Sequence, residues 1–276
     1  MVKWFTKIPN WAALSLVMNG VLFGSLMAFW QETSTFPETE LISGAPPVDT
    51  AAAIADTVME LPRPGGEQTL TYEQWVNVLK AEAKSMALKN PDHLTVLLGD
   101  SLSLWFPGEL MPGRRVWINQ SISGEKTKGL LKRLDLLKNN EVEAVFLMIG
   151  INDLIWGKSD EEIIDNYKQI VAQLKQDHPD TQIVVQSILP HGGENSTWES
   201  RDKLLALDSD RIVALNSTLE KIATDNNAYY LDLYPIFVTG EGELRTDLTT
   251  DGLHLNRQGY LVWRSAIALY AQLKLQ

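Results

Sequence analysis

Two short segments of the sequence contain the residue types needed for nucleophilic acyl transfer. Gly99-Asp100-Ser101-Leu102 supplies a serine hydroxyl, and Asp251-Gly252-Leu253-His254 supplies a carboxylate three residues before an imidazole. At that spacing the carboxylate can accept from Nδ1–H, which leaves Nε2 free to take a serine proton. None of the other three histidines has an aspartate at this spacing. The pattern predicts a nucleophile, a base and a residue that orients the base.

Two further segments carry groups that could stabilise an oxyanion. Gly124, in Ile122-Ser123-Gly124, lets the backbone N–H approach a ligand closely. Asn152, in Gly150-Ile151-Asn152-Asp153, adds an uncharged amide donor. Each feature alone is also typical of an ordinary turn, and serine is a common helix N-cap. The combination of all four segments favours an acyl-transfer site.

Alternating apolar runs and amphipathic stretches predict the elements that hold these segments. Strand and helix alternation at this spacing indicates a parallel sheet of about five strands with helices on both faces. Ligands bind such sheets at the carboxyl ends of the strands, where the first three segments begin. Asn256 is predicted to cap the terminal helix. The predicted strands are Leu94–Leu98, Val116–Asn119, Ala144–Ile149, Gln182–Leu189 and Ala228–Leu233, and the predicted helices between and after them are Thr127–Leu137, Asp160–Gln176, Asp208–Thr224 and Arg257–Leu273.

In their order along the chain, the four segments resemble those of the SGNH-hydrolase superfamily, also called GDSL-like lipases and esterases. The resemblance extends over roughly Leu94–Leu273. It implies a flavodoxin-like, three-layer α/β/α sandwich around a five-stranded parallel sheet of order 2-1-3-4-5. The Gly-x-Ser-x-Gly elbow of α/β-hydrolases is absent from the sequence, which disfavours that separate fold.

The resemblance also implies a role for each residue. Ser101 is the nucleophile, and His254 is the general base that Asp251 orients. The oxyanion hole is formed by the N–H groups of Ser101 and Gly124 and by the side chain of Asn152. No metal or organic cofactor is implied.

A serine esterase acting through an acyl-enzyme is therefore the expected activity, on a small acyl ester, a lipid or an acetylated glycan. The alternatives are an acyltransferase or O-acetyl esterase acting on an envelope polysaccharide, and a non-catalytic binding module. A metal site built from Asp100, Asp153 and Asp251 is a further alternative, although the serine, glycine and asparagine donors make a metal unnecessary.

Aromatic and aliphatic residues that follow the serine and asparagine segments are candidates for an apolar acyl pocket. These are Trp105, Phe106, Ile155 and Trp156, for which packing against the sheet is an equal alternative. The segment from Leu189 to Trp198 contains two glycines and is predicted to form a mobile lid, with His191 facing solvent.

Composition narrows the functional classes further. The 276 residues include 24 Lys and Arg against 35 Asp and Glu, for a net charge of −11. This balance argues against nucleic acid as a partner, because phosphate binding needs clustered basic residues. The sequence contains no cysteine, which excludes disulfides, thiolate metal sites and a cysteine nucleophile.

The amino-terminal region carries a long uncharged run. Trp11–Trp30 would form a helix about 30 Å long, which matches the hydrocarbon core of a bilayer. Lys3 and Lys7 precede the run and Glu32 follows it, so the positive end is expected in the cytoplasm. We expect a single-pass membrane anchor with the catalytic domain on the extracytoplasmic side, periplasmic in a bacterium. A cleaved signal peptide and secretion, or a buried helix, are the alternatives.

Three regions follow from these patterns. Residues 1–30 are the predicted cytoplasmic stub and anchor, and residues 31–68, rich in Pro, Gly and acidic residues, are the predicted flexible linker. Residues 69–276 are the predicted hydrolase domain. Its first helix is expected to be capped by Thr71 and to bury a stripe that includes Trp75, Leu79 and Ala83.

Overall fold

Five parallel strands form the centre of the protein in a computed structural model that describes residues 70–275. The strand order is 2-1-3-4-5, with every neighbouring pair parallel. The first and third strands are buried along their whole length, as expected for a parallel sheet covered on both faces. The predicted α/β/α architecture and its strand order are confirmed.

The helices and strands have the following bounds. The strands are β1 (Leu94–Gly99), β2 (Val116–Ser121), β3 (Ala144–Met148), β4 (Gln182–Gln186) and β5 (Tyr229–Leu231). The helices are α1 (Tyr72–Lys89), α2 (Ser101–Leu104), α3 (Thr127–Leu131), α4 (Ile151–Ile155), α5 (Asp160–Asp177), α6 (Arg201–Leu205), α7 (Ser209–Asp225), α8 (Tyr234–Phe237) and α9 (Arg257–Lys274).

Side-chain caps determine where the outer helices begin. The Thr71 hydroxyl accepts from the N–H of Gln74, whose side chain accepts from the Thr71 N–H, so a capping box starts α1 as predicted. Asn256 accepts from the N–H of Gly259 and starts α9, also as predicted. Both helices therefore begin where local sequence places them.

The predicted helix over Thr127–Leu137 is interrupted. After α3 the chain tightens, because Lys132 and Arg133 donate to carbonyls three residues back, and a 3₁₀ turn follows at Leu134–Leu137. The interruption turns the Arg133 side chain inward, where it pairs with buried Glu125. A tertiary ion pair thus replaces the continuous helix that periodicity predicted.

Helices cover the sheet in layers. Helix α5 contacts α3 and α7 and buries Ile163, Tyr167 and Ile170 against the strands. Helix α9 packs through Trp263, whose indole N–H donates to Gln186 of β4 at 2.7 Å. These contacts leave the carboxyl ends of the strands available for the loops that carry the predicted site.

The predicted anchor and linker, residues 1–30 and 31–68, lie outside the described residues. Within residues 70–275, no helix combines the length and apolar character needed to cross a bilayer.

Candidate active site

Ser101 lies at the turn between β1 and α2, at the carboxyl edge of the sheet. Asp100, not the serine, is the N-cap of α2, and its carboxylate accepts from the N–H of Leu102 at 3.1 Å. Ser101 is the first residue of the helix, where backbone N–H groups lack partners within the helix. Its hydroxyl is therefore not used as a cap and can contact another loop.

That loop brings His254 to the serine. The distance between Ser101 Oγ and His254 Nε2 is 3.1 Å, and the distance between His254 Nδ1 and Asp251 Oδ2 is 2.8 Å. The serine and the histidine are 5% and 7% exposed. Both distances are those of hydrogen bonds, and they join hydroxyl, imidazole and carboxylate in one continuous chain.

Asp251 is held by its own turn as well as by the imidazole. Its Oδ1 accepts from the N–H groups of Leu253 at 2.9 Å and of His254 at 2.8 Å. Partial burial acts to raise the pKa of Asp251, but the hydrogen bonds from His254 and Leu253 outweigh burial and hold that pKa below its usual value. The Asx turn and the contact with the imidazole are thus parts of one local structure.

The second position of this turn, Gly252, has no room for a side chain. Gly252 has a φ of +87°, and a Cβ there would lie 2.7 Å from the Cα of Ser196. Glycine is therefore needed both for the left-handed conformation and for the close approach of the neighbouring loop.

The neighbouring loop is the segment predicted as a mobile lid, and the structure anchors it instead. The carbonyl of Asp251 accepts from the N–H groups of Thr197 at 2.8 Å and Trp198 at 2.9 Å, and from the hydroxyl of Ser196 at 2.9 Å. Gly192 also donates to the carbonyl of Gly252 at 2.7 Å. The segment supports the turn that carries Asp251 and His254.

His191 is buried, not solvent-facing as predicted, and is 4% exposed. Its Nδ1 accepts from the N–H of Gly193, so Nε2 carries the proton that is donated to the carbonyl of Leu207 at 2.9 Å. Burial lowers the pKa of His191, against the opposing effect of the Leu207 carbonyl. A neutral imidazole inside the anchored segment explains why the loop turns inward.

The candidate oxyanion donors face the same edge from the other side. Gly124 is exposed, with a φ of +73°, and its N–H has no acceptor among residues 70–275. Asn152, 6% exposed, donates from Nδ2 to the carbonyl of Glu125 at 3.2 Å. One N–H of the amide thus ties α4 to the Gly124 segment, and the second is left for a ligand.

A buried ion pair that sequence reasoning missed supports this side. The guanidinium of Arg133 donates from Nε to both carboxylate oxygens of Glu125 at 2.9 Å, and the Tyr72 hydroxyl donates to the same carboxylate at 3.1 Å. Glu125 and Arg133 are 4% and 6% exposed. Their separation of eight residues is not a helix-surface spacing, so no local pattern signals the pair.

Asp153, beside Asn152, is committed to a structural network. Its two carboxylate oxygens accept from the hydroxyl of Thr127 at 2.7 Å and from its N–H at 2.9 Å. The Thr127 hydroxyl in turn accepts from Asn166 at 2.9 Å. No group of three His, Asp or Glu side chains in the described part of the chain is arranged to hold a metal ion.

Asp100 lies fully buried beneath the serine. Desolvation raises its pKa to about 7; the negative charges of Asp153 and Glu125 add to the effect and the N–H of Leu102 opposes it. Its Oδ2 has no hydrogen-bond partner among the described residues. This carboxyl group is thus the most perturbed acid near the site.

The four residues predicted to line an acyl pocket divide into two pairs. Phe106 and Ile155 lie in the core, where the Phe106 ring is 5.1 Å from that of Trp263, so neither offers a surface to a ligand. The ring of half-buried Trp105 lies 4.1 Å from the imidazole of His254. Trp156 is 50% exposed. Of the four, only Trp105 contacts a proposed catalytic residue in the described part of the chain.

This chain is similar in sequence to a known protein family and to several known proteins. A family model described as GDSL-like lipase/acylhydrolase matches residues 90–262. Platelet-activating factor acetylhydrolase IB subunit alpha1 of Bos taurus is 27% identical over 186 residues, which cover 62% of this chain and 72% of that protein. N-acylneuraminate cytidylyltransferase of Streptococcus agalactiae serotype V is 25% identical over 183 residues, covering 66% of this chain but 40% of that protein.

Solved structures share the fold at lower identity. A Streptococcus pneumonia protein, described as a candidate platelet activating factor, superposes with a TM-score of 0.64 at 24% identity and covers 72% of this chain and 95% of its own. A GDSL-like lipase from Bacteroides thetaiotaomicron gives a TM-score of 0.59 at 18% identity, over 72% of this chain and 98% of its own.

Proposed function

Because the chain belongs to the GDSL-like lipase/acylhydrolase family and is an ester-hydrolysing serine hydrolase, we propose that it cleaves short-chain carboxylic esters through an acyl-enzyme on Ser101. The observation that carries this proposal is the unbroken hydrogen-bond chain from Ser101 Oγ through His254 to Asp251, with distances of 3.1 and 2.8 Å. It supplies the nucleophile, base and orienting group that the reaction requires.

The first half-reaction forms the acyl-enzyme. His254 Nε2 takes the hydroxyl proton while Oγ attacks the ester carbonyl, and Asp251 stabilises the imidazolium that results. The tetrahedral intermediate collapses when His254 gives the proton to the departing alkoxide. An alcohol leaves, and the acyl group stays on Ser101.

Water completes the second half-reaction. His254 takes a proton from a water molecule, which attacks the acyl carbonyl, and then returns the proton to Ser101 Oγ. The products are a carboxylic acid and free enzyme. Both tetrahedral intermediates place their negative oxygen against the N–H groups of Ser101 and Gly124 and the Asn152 amide.

A short acyl group is favoured by what surrounds the serine. Trp105 covers one side of His254, and Phe106 and Ile155 lie in the core, so little apolar surface is left for a long chain. The relative from Bos taurus is named as an acetylhydrolase, which also favours a short acyl group. Acetyl esters, including acetylated glycans, are therefore proposed ahead of long-chain lipids.

The proposed position of the enzyme rests on the amino-terminal sequence. Residues 1–30 anchor the chain in a membrane and residues 31–68 tether the hydrolase domain, residues 69–276, on the extracytoplasmic side. Protease added to cells whose outer barriers have been opened should digest the domain while the inner membrane is intact. Digestion only after rupture of that membrane would reverse the orientation.

Chain-length dependence tests the proposed reaction. The full-length chain, purified in detergent, should hydrolyse nitrophenyl acetate and butyrate faster than nitrophenyl decanoate. Ser101→Ala should abolish turnover, while Ser265→Ala, on an exposed part of α9, should not change it. Undiminished turnover in Ser101→Ala would disprove the nucleophile, and a preference for decanoate would disprove the short acyl chain. Transfer of acetyl to an added sugar in place of water would assign the chain as a transferase.

A further inference from the structure

Exposed Trp156 directly follows α4, the helix that carries Asn152, and its ring lies near two lysines. The ammonium group of Lys203 is 4.4 Å from the centre of the Trp156 ring, and that of Lys126 is 5.6 Å from it. Both distances fall within the range of cation–π contacts. Trp156 is 50% exposed, so the ring and both charges are accessible from solvent. We call these three residues the cationic clamp.

The clamp is built on the loops that carry the proposed catalytic groups. Lys126 follows Glu125, whose carbonyl accepts from the Asn152 amide at 3.2 Å. Trp156 donates its backbone N–H to the Asn152 carbonyl at 3.1 Å, one helical turn away. The clamp is therefore connected directly to the oxyanion side of the site.

The third residue approaches from the opposite side. Lys203 lies in α6, which follows the segment that donates three hydrogen bonds to the Asp251 carbonyl. Its contact with the Trp156 ring therefore joins the loops of the acid–base side to those of the oxyanion side.

Neither Lys126 nor Lys203 forms an ion pair among residues 70–275, whereas neighbouring Arg201 pairs with Glu194 at 2.6 Å. The Asp153 carboxyl group interacts electrostatically with Lys126 but makes no direct ion pair with it. Two ammonium groups near one ring repel each other, and an anion that binds beside them lowers that repulsion.

We propose that the cationic clamp binds a negatively charged group of the ester substrate, a carboxylate or a phosphate, and so makes the enzyme selective for anionic esters. The inference rests on the proposed function, because it assigns specificity to the same site. In a chain with a net charge of −11, the overall charge opposes an anionic substrate, and a local positive site on the loops of the catalytic groups offsets that repulsion.

A matched pair of acetyl esters tests the proposal. 4-Acetoxybenzoate carries one negative charge, and its methyl ester is neutral but has the same scissile bond. The full-length wild-type chain should show a higher kcat/KM for the anionic ester, mainly through a lower KM. The preference should shrink as salt is raised from about 0.02 to about 0.5 M, because salt screens exposed charges.

Charge reversal of the clamp should remove the preference. In Lys203→Glu, and separately in Lys126→Glu, the ratio of kcat/KM for the anionic ester to that for the neutral ester should fall at least about tenfold. Lys203→Arg should keep the ratio. Lys221→Glu makes the same charge change on an exposed part of α7 and should also keep it.

Two outcomes would overturn the clamp while leaving the proposed reaction intact. One is equal use of both esters by the wild-type chain at low salt, with both activities abolished in Ser101→Ala. The other is a fall in the ratio of the same size in Lys221→Glu. Hydrolysis that survives in Ser101→Ala would instead contradict the proposed nucleophile.

Discussion

The two sides of the proposed active site are held in different ways. On the acid–base side, Asp251 and His254 lie three residues apart, and hydrogen bonds within that turn set most of their geometry. On the oxyanion side, Gly124 and Asn152 come from separate loops that a buried Glu125–Arg133 pair supports. Local geometry can be recognised in a sequence pattern, whereas support from a distant ion pair cannot.

The sides differ in their expected response to substitution. Changes on the acid–base side should act on the chemical step and leave the fold intact, because the turn is short and local. Changes beneath the oxyanion side should first lower the free energy of unfolding, because a buried charge loses its partner. Kinetic and stability measurements on single substitutions separate these two responses.

Asp251→Asn should give the largest loss. The amide can still accept from the backbone N–H groups of the turn, but it does not stabilise the imidazolium or select the Nδ1–H tautomer. We expect kcat to fall by about 10⁴-fold with KM little changed. Steady-state kinetics on nitrophenyl acetate and a thermal melt measure the two responses, and a large drop in melting temperature with normal kcat would contradict the assignment.

Arg133→Met should lower the free energy of unfolding, in contrast to Asp251→Asn, which acts on kcat. Removing the guanidinium leaves the Glu125 carboxylate buried without its ionic partner, which costs about 3 to 5 kcal/mol in the free energy of unfolding. Urea unfolding followed by circular dichroism measures the change. Arg257→Met, which removes an exposed ion pair with Glu109, is the control and should leave stability nearly unchanged, because solvent screens exposed ion pairs.

Asn152→Ala should lower kcat by on the order of 10²-fold, because one of three donors to the developing oxyanion is lost. The same substitution removes a hydrogen bond to the Glu125 carbonyl, so a stability measurement should accompany the kinetics. Asn226→Ala, on the amino-terminal side of β5, provides a control for loss of an amide side chain. Equal activity in the two variants would exclude Asn152 from the oxyanion hole.

Asp100 should make the free energy of unfolding fall as the pH rises, whereas a salt-bridged carboxylate makes it rise. Burial raises its pKa to about 7, so the folded protein retains a proton that the unfolded chain releases above about pH 4. The free energy of unfolding contributed by this group therefore falls as the pH rises from about 4 to 7, by a few kcal/mol at most.

Asp100→Asn should remove that dependence while the side-chain oxygen still accepts from Leu102. The stability of wild type relative to the variant should decrease between pH 4 and 7 in urea unfolding. Parallel curves for the two proteins would show that the carboxyl group is not protonated in the folded state.

Ser196→Ala should have the smallest effect. The hydroxyl is one of three donors to the Asp251 carbonyl, and the two backbone donors remain. We expect a loss of about 1 kcal/mol in stability and a few-fold decrease in kcat. A loss of activity as large as that of Asp251→Asn would mean that the anchored segment, not the turn, sets the position of the acid.

Several parts of the fold could be predicted because they depend on short-range patterns. Buried apolar runs identified the five strands, and Thr71 and Asn256 identified the starts of two helices. The order of the sheet came from the family resemblance, and the structure has that order. Errors arose where a local pattern was opposed by tertiary contacts, as in the helix interrupted after α3.

The segment around His191 shows the same limit. Glycines in a loop permit mobility but do not require it, and here Gly192 and Gly252 allow two backbones to meet at a distance that a side chain would prevent. The inward position of the His191 ring depends on its hydrogen bond to the carbonyl of Leu207, 16 residues along the chain. No spacing within the segment contains that information.

The chemical groups, the order of the elements and the Asp-x-x-His turn can all be recognised in the sequence, because they depend on residue type and on neighbours a few positions away. Only the tertiary structure decided that Ser101 and His254, 153 residues apart, come within 3.1 Å. It also decided that Phe106 and Ile155 join the core while Trp156 stays exposed between two lysines. Packing settles such choices because each side chain competes for the same limited interior volume.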